Sequence, residues 1–234
     1  MSETIQGTLA LIGAGEFLPP VVAIDKMLLE RINGTPRVVV LPTASAPDGP
    51  GVPERWASMG VDHFSQLGAD VEAAMLLQRG DANDERIVAQ LAAANFVYLS
   101  GGKPRYLLET LKDTAAWQAI INMLVKGGVL AGCSAGAMIL GSELFDFPQM
   151  WRTIPAFGLA QEIIVIPHFD EIPSALTSTI SLTKRKLTLV GIDGSTALVR
   201  SNSLWSVYGS GSVTVFHENT KARYLAGNKV LLHS

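Results

Sequence analysis

Residues 127–140 read GGVLAGCSAGAMIL, and this stretch decides the fold. An apolar run at residues 129–131 leads directly into a glycine-flanked turn, which is followed by a second apolar run. This order is typical of a buried strand that passes through a sharp turn into a helix. The turn contains Gly-x-Ser-x-Gly at residues 132–136, and its glycines leave room for close packing around a strained central residue. We therefore predict a nucleophile elbow that presents Ser134 at a helix N-terminus.

The elbow has two alternative interpretations. Its small residues are also compatible with a tight strand–helix crossing that has no catalytic role. Cys133 is the competing nucleophile, but an elbow centred on it would place Ala131 and Ala135 where glycines are needed. Ser134 is therefore favoured, and we expect Cys133 to be a small buried neighbour.

Upstream of the elbow, short apolar runs alternate with longer amphipathic runs. This alternation is typical of βαβ units on a parallel sheet. The predicted strands are residues 8–12, 37–41, 71–76, 95–99 and 129–131. The predicted helices are residues 20–31, 53–67, 83–94 and 115–126, and another helix begins at Pro104.

After residue 160 the composition changes to Val-, Ile- and Thr-rich segments joined by Gly and Asn, which is typical of antiparallel strands and hairpins. The strand at residues 163–166 is expected to join the same sheet next after the elbow. Further strands are predicted at residues 203–208, 213–217 and 229–232, with a hairpin turn at residues 209–212. We predict one α/β domain over residues 1–234, a three-layer, doubly wound, mostly parallel sheet with C-terminal antiparallel strands.

Composition excludes several classes of protein. Of the 234 residues, 48% are hydrophobic and 17% charged, which supports a buried core and excludes disorder or a coiled coil. Lys and Arg number 18 against 21 acidic residues, and the longest basic run is residues 184–186, so no nucleic-acid partner is expected. The single cysteine excludes an internal disulfide, and no apolar stretch reaches bilayer length. We expect a cytoplasmic protein without membrane contact.

A serine nucleophile needs a base, and the chain has four histidines. His168 is the candidate because it follows the apolar residues 163–166, and Pro167 ends that strand at the edge of the sheet that carries the elbow. The alternative is a histidine in a surface loop. The other three, His63, His217 and His233, are expected to be structural or exposed.

Two backbone N–H groups are needed to bind an oxyanion. One is the amide of Ala135, directly after the nucleophile. The other is expected in Ser100-Gly101-Gly102-Lys103, whose glycines bring N–H groups close to a ligand, unless this loop is a plain strand–helix turn. Candidates for binding a substrate carboxylate are Lys103, Arg105 and Arg152, with solvated surface charges as the alternative.

A second glycine-rich stretch, residues 11–18, follows the first strand. Leu18 stands where a dinucleotide fingerprint has its third glycine, so no nucleotide cofactor is expected. Because Gly13-Ala14-Gly15 lies at the same edge of the sheet as Ser134, we expect it to line the pocket.

Together these motifs resemble the family of dipeptidase E (aspartyl dipeptidase) and cyanophycinase, serine peptidases with a fold similar to class I glutamine amidotransferases. The shared pieces occur in the family's order over roughly residues 8–200, and they are Ser100-Gly101-Gly102, Gly132 to Ala137, Pro167-His168-Phe169 and Gly191-Ile192-Asp193. The resemblance implies that Ser134 is the nucleophile, His168 the general base, and Gly102 with Ala135 the oxyanion donors. It also places Gly101, Lys103 and Arg105 near the substrate, and implies hydrolysis of a peptide or amide bond beside an aspartyl residue, without metal or cofactor.

Two positions depart from the family pattern. Lys103 replaces a polar residue such as Asn, and Gly194 stands where many relatives carry the Glu that completes the triad. Asp193 is the candidate acid, although adjacent strand side chains point to opposite faces, so it can serve only if Gly194 allows a bulge or turn. Other acids that remain open are Glu143, Asp146, Glu162 and Asp170.

Three hypotheses follow. The leading one is a serine hydrolase that acts with Ser134 and His168 on a small aspartyl peptide or related amide; residues 171–183 lack arginine, which favours the dipeptidase side of the family over the cyanophycinase side. The second is a non-catalytic member that binds a ligand or partner, motivated by Gly194. The third is an α/β-hydrolase esterase whose base is a late histidine such as His217. Whether the chain forms a homodimer is left open.

Overall fold

The structure is a computed structural model that describes residues 6–146, 149–173, 187–202, 204–218, 220–230 and 232, without the side chains of residues 149–151. The basic run at residues 184–186 and His233 lie outside the described residues. The strands are β1 (Thr8–Ile12), β2 (Arg37–Leu41), β3 (Asp70–Ala73), β4 (Phe96–Leu99), β5 (Val129–Cys133), β6 (Gly141–Asp146), β7 (Gln149–Pro155), β8 (Ala160–Ile166), β9 (Thr188–Ile192), β10 (Thr196–Ser201), β11 (Leu204–Gly209), β12 (Ser212–His217), β13 (Thr220–Leu225) and β14 (Lys229–Val230). The α-helices are α1 (Val22–Leu29), α2 (Val52–Gln66), α3 (Glu85–Ala93), α4 (Pro104–Leu111), α5 (Ala115–Val125) and α6 (Ala135–Met138).

The strands form two sheets. The first has the order β14-β11-β10-β1-β5-β4-β2-β3, and its five strands from β1 to β3 are parallel. The second has the order β13-β12-β9-β8-β6-β7, in which only β6, β8 and β9 pair in parallel. The predicted α/β class, a parallel sheet with antiparallel strands towards the C-terminus, is confirmed.

The position of β8 differs from the prediction. The strand that leads to His168 was expected in the sheet of the elbow, but it lies in the second sheet. The reason is that the positions beside the central strands are taken: β5 lies between β1 and β4, and the other edge of β1 pairs with β10. β8 instead pairs with β6 and β9.

Both faces of the first sheet are covered, which explains why its central strand β1 is buried throughout. All five residues of β1 are buried. Leu9 and Leu11 point into a cluster shared with α3, α5 and the second sheet, whereas Ala10 and Ile12 point into a cluster shared with α1 and α2. This is the alternation of side chains that a strand buried on both faces shows.

The glycines at residues 209–211 do not form the predicted hairpin turn. Because β11 belongs to the first sheet and β12 to the second, this segment carries the chain from one sheet to the other. It passes tightly over the link between β9 and β10: a Cβ atom on Gly209 would lie 2.2 Å from the Ser195 carbonyl oxygen, and one on Gly211 would lie 2.7 Å from the Cβ of Asp193. The glycines are therefore needed for close approach, not for a tight reversal.

The other predicted elements differ from the observed ones mainly at their ends. β3 ends at Ala73, so residues 74–76 of the predicted strand lie outside it. The predicted first helix is preceded by a 3₁₀ turn, Pro19–Val21, and α1 begins after this turn. In the part of the chain that the structure describes, no helix has both the length and the apolar character that crossing a bilayer requires. One domain over residues 1–234 stays a prediction.

Candidate active site

Ser134 lies in the sharp turn between β5 and α6. Its backbone has φ 49° and ψ −110°, a sparsely populated conformation for a residue with a side chain. The flanking glycines have no space for a side chain: a Cβ atom on Gly132 would lie 2.4 Å from the Gly136 backbone, and one on Gly136 would lie 2.3 Å from the Leu99 carbonyl oxygen. The turn is fixed by a hydrogen bond from the Ser134 N–H to the Ile12 carbonyl, 3.0 Å. This is the geometry of an elbow that projects its central side chain.

His168 lies beside this serine. It follows β8 and Pro167 in the left-handed conformation, φ 51°, and its ring nitrogen Nε2 is 3.1 Å from the Ser134 Oγ. That separation is within hydrogen-bonding reach, as a general base requires. The structure therefore brings together the two residues that the sequence singled out as nucleophile and base, although they follow strands of different sheets.

The other ring nitrogen of His168 faces an acid that the sequence analysis did not consider. Nδ1 is 3.3 Å from the Glu171 Oε1. Both residues are partly open to solvent, with side-chain exposures of 43% for His168 and 69% for Glu171. The short 3₁₀ turn Phe169–Glu171 explains the contact, since side chains three residues apart lie above one another in such a turn. A spacing of three residues after the histidine was the signal available in the sequence.

Asp193, the acid named from the sequence, is engaged elsewhere. Its Oδ2 accepts hydrogen bonds from the Ser212 N–H at 2.9 Å and the Ser212 hydroxyl at 2.6 Å, and Arg223 lies 4.0 Å away. The side chain therefore points towards the second sheet, as the alternation of strand side chains makes it do. The link after β9 does not turn it towards His168, so the structure gives this histidine Glu171 instead.

Of the four other acids left open, Glu162 is exposed on β8, and the other three have partners other than His168. Asp170 Oδ1 accepts the N–H of Gly194 at 2.7 Å, Glu143 accepts a hydrogen bond from Thr153, and Asp146 pairs with Arg105. Gly194, where the resemblance led us to expect an acid, thus faces the Asp170 carboxylate.

The N–H groups of the two residues predicted as oxyanion donors, Ala135 and Gly102, have no hydrogen-bond acceptor among the described residues. Ala135 is the first residue of α6, so its N–H has no acceptor within the helix. Gly102 has φ 138°, and a Cβ atom there would lie 2.3 Å from the Ala44 carbonyl oxygen, which also accepts the Lys103 N–H at 2.7 Å. The Gly102 N–H has no acceptor among the described residues. The next glycine, Gly101, is so close to the elbow that its Cβ atom would lie 3.3 Å from the Cβ of Ser134.

Two of the three cations proposed to bind substrate, Lys103 and Arg105, already have acidic partners. Lys103 Nζ is 3.3 Å from Asp48, and Arg105 contacts Glu109 at 2.8 Å and Asp146 at 2.9 Å. Hydrogen bonding to Glu109 raises the pKa of the Arg105 guanidinium above its ordinary value. A substrate carboxylate would have to compete with these exposed pairs, which are weak.

Space for a small molecule is present beside His168. An open cleft of about 540 Å³ is lined by His168, Asp170, Glu171, Ala14, Gly15 and Leu18, among others. Ala14 and Gly15 belong to the stretch expected to line the pocket. The volume is in the range of sites that hold small ligands.

Neither Cys133 as the nucleophile nor His217 as the base has this geometry. Cys133 is fully buried, and its thiol donates to Glu16 Oε2 at 2.9 Å, away from the cleft. Burial, followed by the negative charge of Glu16, raises the pKa of this thiol well above its usual range, so it does not supply a thiolate nucleophile. His217 contacts Thr188 at 2.9 Å in the second sheet, while Ser134 contacts His168.

Comparison with known proteins identifies the family of this chain. The model of peptidase family S51 matches residues 9–207. The chain belongs to peptidase family S51. The resemblance inferred from the motifs is therefore confirmed, and a peptidase with a serine at its elbow is consistent with that family.

Individual S51 relatives agree with this membership. The crystal structure of a peptidase from an acI-B1 Actinobacterium is 32% identical, covers 97% of both chains and superposes with a TM-score of 0.88. A Listeria monocytogenes EGD-e protein assigned as a peptidase E is 21% identical with a TM-score of 0.62, which shows the fold alone. Cyanophycinase of Nostoc sp. is 32% identical over 166 residues, and the match covers 65% of this chain and 55% of that protein. The chain thus spans little more than half the length of that relative.

Proposed function

We propose that this S51 family member is a serine peptidase that hydrolyses a small peptide or related amide, with Ser134 as nucleophile and His168 as base. The observation that carries the proposal is the 3.1 Å contact between the Ser134 Oγ and His168 Nε2 at a strained elbow. In the first half-reaction Nε2 takes the hydroxyl proton as Oγ attacks the carbonyl carbon, and the oxyanion lies at the Ala135 and Gly102 N–H groups. The imidazolium then donates its proton to the leaving amine, and water releases the acyl group by the reverse order of proton transfers.

Glu171 has a positioning role in this mechanism. By accepting the Nδ1–H, its carboxylate holds the tautomer in which Nε2 carries the lone pair that the reaction needs. The exposure of Glu171 makes its contribution smaller than that of a buried acid.

The proposed substrate is a small aspartyl dipeptide in the cytoplasm, as the resemblance to dipeptidase E implies. Its carboxylates would bind Lys103 and Arg105, replacing Asp48 and Asp146 as the partners of these cations. Its amino group would then lie in the cleft on the side of Asp170 and Glu171.

The experiment measures hydrolysis of Asp-X dipeptides together with labelling of Ser134 by an alkyl fluorophosphonate. Ser134→Ala and His168→Ala are expected to abolish both. The matched control is His217→Ala, which removes a histidine of the second sheet and is expected to retain both, whereas the esterase hypothesis expects it to lose them. Turnover that survives in both Ser134→Ala and His168→Ala would refute the proposal.

A second candidate is a member of the family that binds peptides without cleaving them. The observation that favours it is that the acid beside His168 is Glu171, with 69% of its side chain exposed, while Gly194 stands where the resemblance implies an acid. Failure of the folded protein to react with the fluorophosphonate would support this candidate, and rapid labelling would exclude it.

A further inference from the structure

A buried carboxylate lies behind the elbow, and the mechanism above does not use it. Glu16 is 7% exposed, and each of its oxygens has a different donor. Oε1 accepts the Gly101 N–H at 2.7 Å, and Oε2 accepts the Cys133 thiol at 2.9 Å. An ionised carboxylate accepts on both oxygens, so this pair of donors suits it.

The two donors belong to the two segments that form the oxyanion site. Gly101 directly precedes Gly102, whose N–H is one oxyanion donor. Cys133 directly precedes Ser134, and the residue after Ser134 is Ala135, whose N–H is the other oxyanion donor. We propose that Glu16 is the positioning residue of the oxyanion site, because it fixes the separation between these two segments. The inference rests on the proposed function.

The backbone around Glu16 holds the carboxylate in place. Gly15 has φ 90°, and Phe17 has φ 63°, which is uncommon for a bulky residue. Phe17 is buried among other rings, with centroid distances of 5.1 Å to Tyr98 and 5.7 Å to His63. This packing keeps the strained conformation and prevents Glu16 from turning out to solvent.

The loop on the other side is shaped to accept this carboxylate. A Cβ atom on Gly101 would lie 2.7 Å from the Glu16 Oε1. A larger residue at position 101 would therefore displace the carboxylate or the loop, and it would also press against the Cβ of Ser134, 3.3 Å away. The contact thus depends on both partners.

Glu16→Gln tests the inference with little change in shape. Glutamine has one acceptor oxygen and an NH₂ group that only donates, so it cannot accept from Gly101 and Cys133 together. We expect the rate of fluorophosphonate labelling, and kcat on an Asp-X dipeptide, to fall about 10- to 100-fold because the oxyanion donors move. KM is expected to stay unchanged, and the affinity for phenylboronic acid, which forms a tetrahedral adduct, should fall by the same factor as kcat.

Asp81→Asn is the matched control. It makes the same chemical change at a carboxylate that also accepts backbone N–H groups, those of Leu77 and Gln78. This variant is expected to leave the labelling rate and the affinity for phenylboronic acid unchanged. If it lowers them as Glu16→Gln does, the effect is a general response of the fold and the inference is wrong.

The outcomes separate this inference from the proposed function. A wild-type protein that neither labels nor hydrolyses would refute the proposed function itself. If the wild-type protein is active, a folded Glu16→Gln with wild-type labelling, or with KM raised and the affinity for phenylboronic acid retained, overturns the role of Glu16. If Glu16→Gln does not fold, Cys133→Ala provides the second test, since it retains Glu16 and removes the thiol that donates to its Oε2. A smaller loss of kcat and of phenylboronic acid affinity is then expected, and wild-type values of both would overturn the role of Glu16.

Discussion

Replacing Glu171 by Gln tests how much an exposed acid contributes to catalysis in this protein. The substitution keeps the length of the side chain and removes its charge. The carboxylate contacts His168 Nδ1 at 3.3 Å, and 69% of its side chain is exposed. We therefore expect a loss of activity, because the imidazolium formed in the reaction loses a neighbouring negative charge, but a small one.

The size of the loss follows from that exposure. Solvent-exposed ion pairs contribute about 0.2 to 1 kcal/mol. With about 1.4 kcal/mol for each factor of ten in rate, kcat/KM should fall about 1.4- to 5-fold. Removing the buried acid of a serine protease triad costs on the order of 10⁴, so the two cases are well separated.

The assay is the rate of fluorophosphonate labelling of wild type and Glu171→Gln, at low ionic strength and at about 1 M salt, where the Debye length is about 3 Å. The difference should narrow at high salt, since the pair is open to solvent. Glu162→Gln, an exposed glutamate on the strand that leads to His168, is the control and should behave as wild type. A loss of 10³ or more, on the order of that of a buried acid, would refute the reasoning.

Three further predictions follow from strain, burial and titration. Ser134→Gly should be more stable than Ser134→Ala by about 1 kcal/mol in thermal unfolding, because glycine relieves the positive φ that alanine retains. The native protein should resist iodoacetamide at pH 8 and react at Cys133 only after unfolding, because burial raises the pKa of that thiol. Burial also raises the pKa of Asp25 above its ordinary value of 3.8, so its contribution to stability is complete below that pH and is lost as the pH rises through the folded pKa. Asp25→Asn should therefore gain stability relative to wild type as the pH rises from 4 to 7, as measured by Tm.

The parts of the molecule that sequence predicts well are those set by neighbouring residues. The strand–turn–helix around Ser134 depends on Gly132 and Gly136, because a Cβ atom on either would clash with backbone a few residues away or on the adjacent strand. His168 could be placed because Pro167 ends β8 next to it. In both cases short-range sterics carry the information, and the residue types alone reveal it.

The parts that sequence did not predict depend on contacts between distant segments. Whether β8 extends the first sheet or helps form a second one is decided by β10, which takes the edge of β1, and by the pairing of β8 with β6 and β9, none of which the apolar pattern marks. Asp193 was preferred because it is next to Gly194, yet its orientation is set by Ser212 on β12, a partner that no local pattern indicates. Glu16 similarly acquires its partners from β5 and the Gly101 loop.

The division into two sheets has a consequence for how activity responds to damage. Ser134 follows a strand of one sheet and His168 a strand of the other, so the 3.1 Å distance between Oγ and Nε2 depends on how closely the two sheets pack. Val190 of the second sheet and Leu198 of the first are fully buried in the same cluster. A cavity opened there would loosen the seam between the sheets and separate Ser134 from His168 while each sheet stays intact. Catalysis would then be lost at a lower temperature than secondary structure, and the most sensitive positions for it would include residues that never touch a substrate.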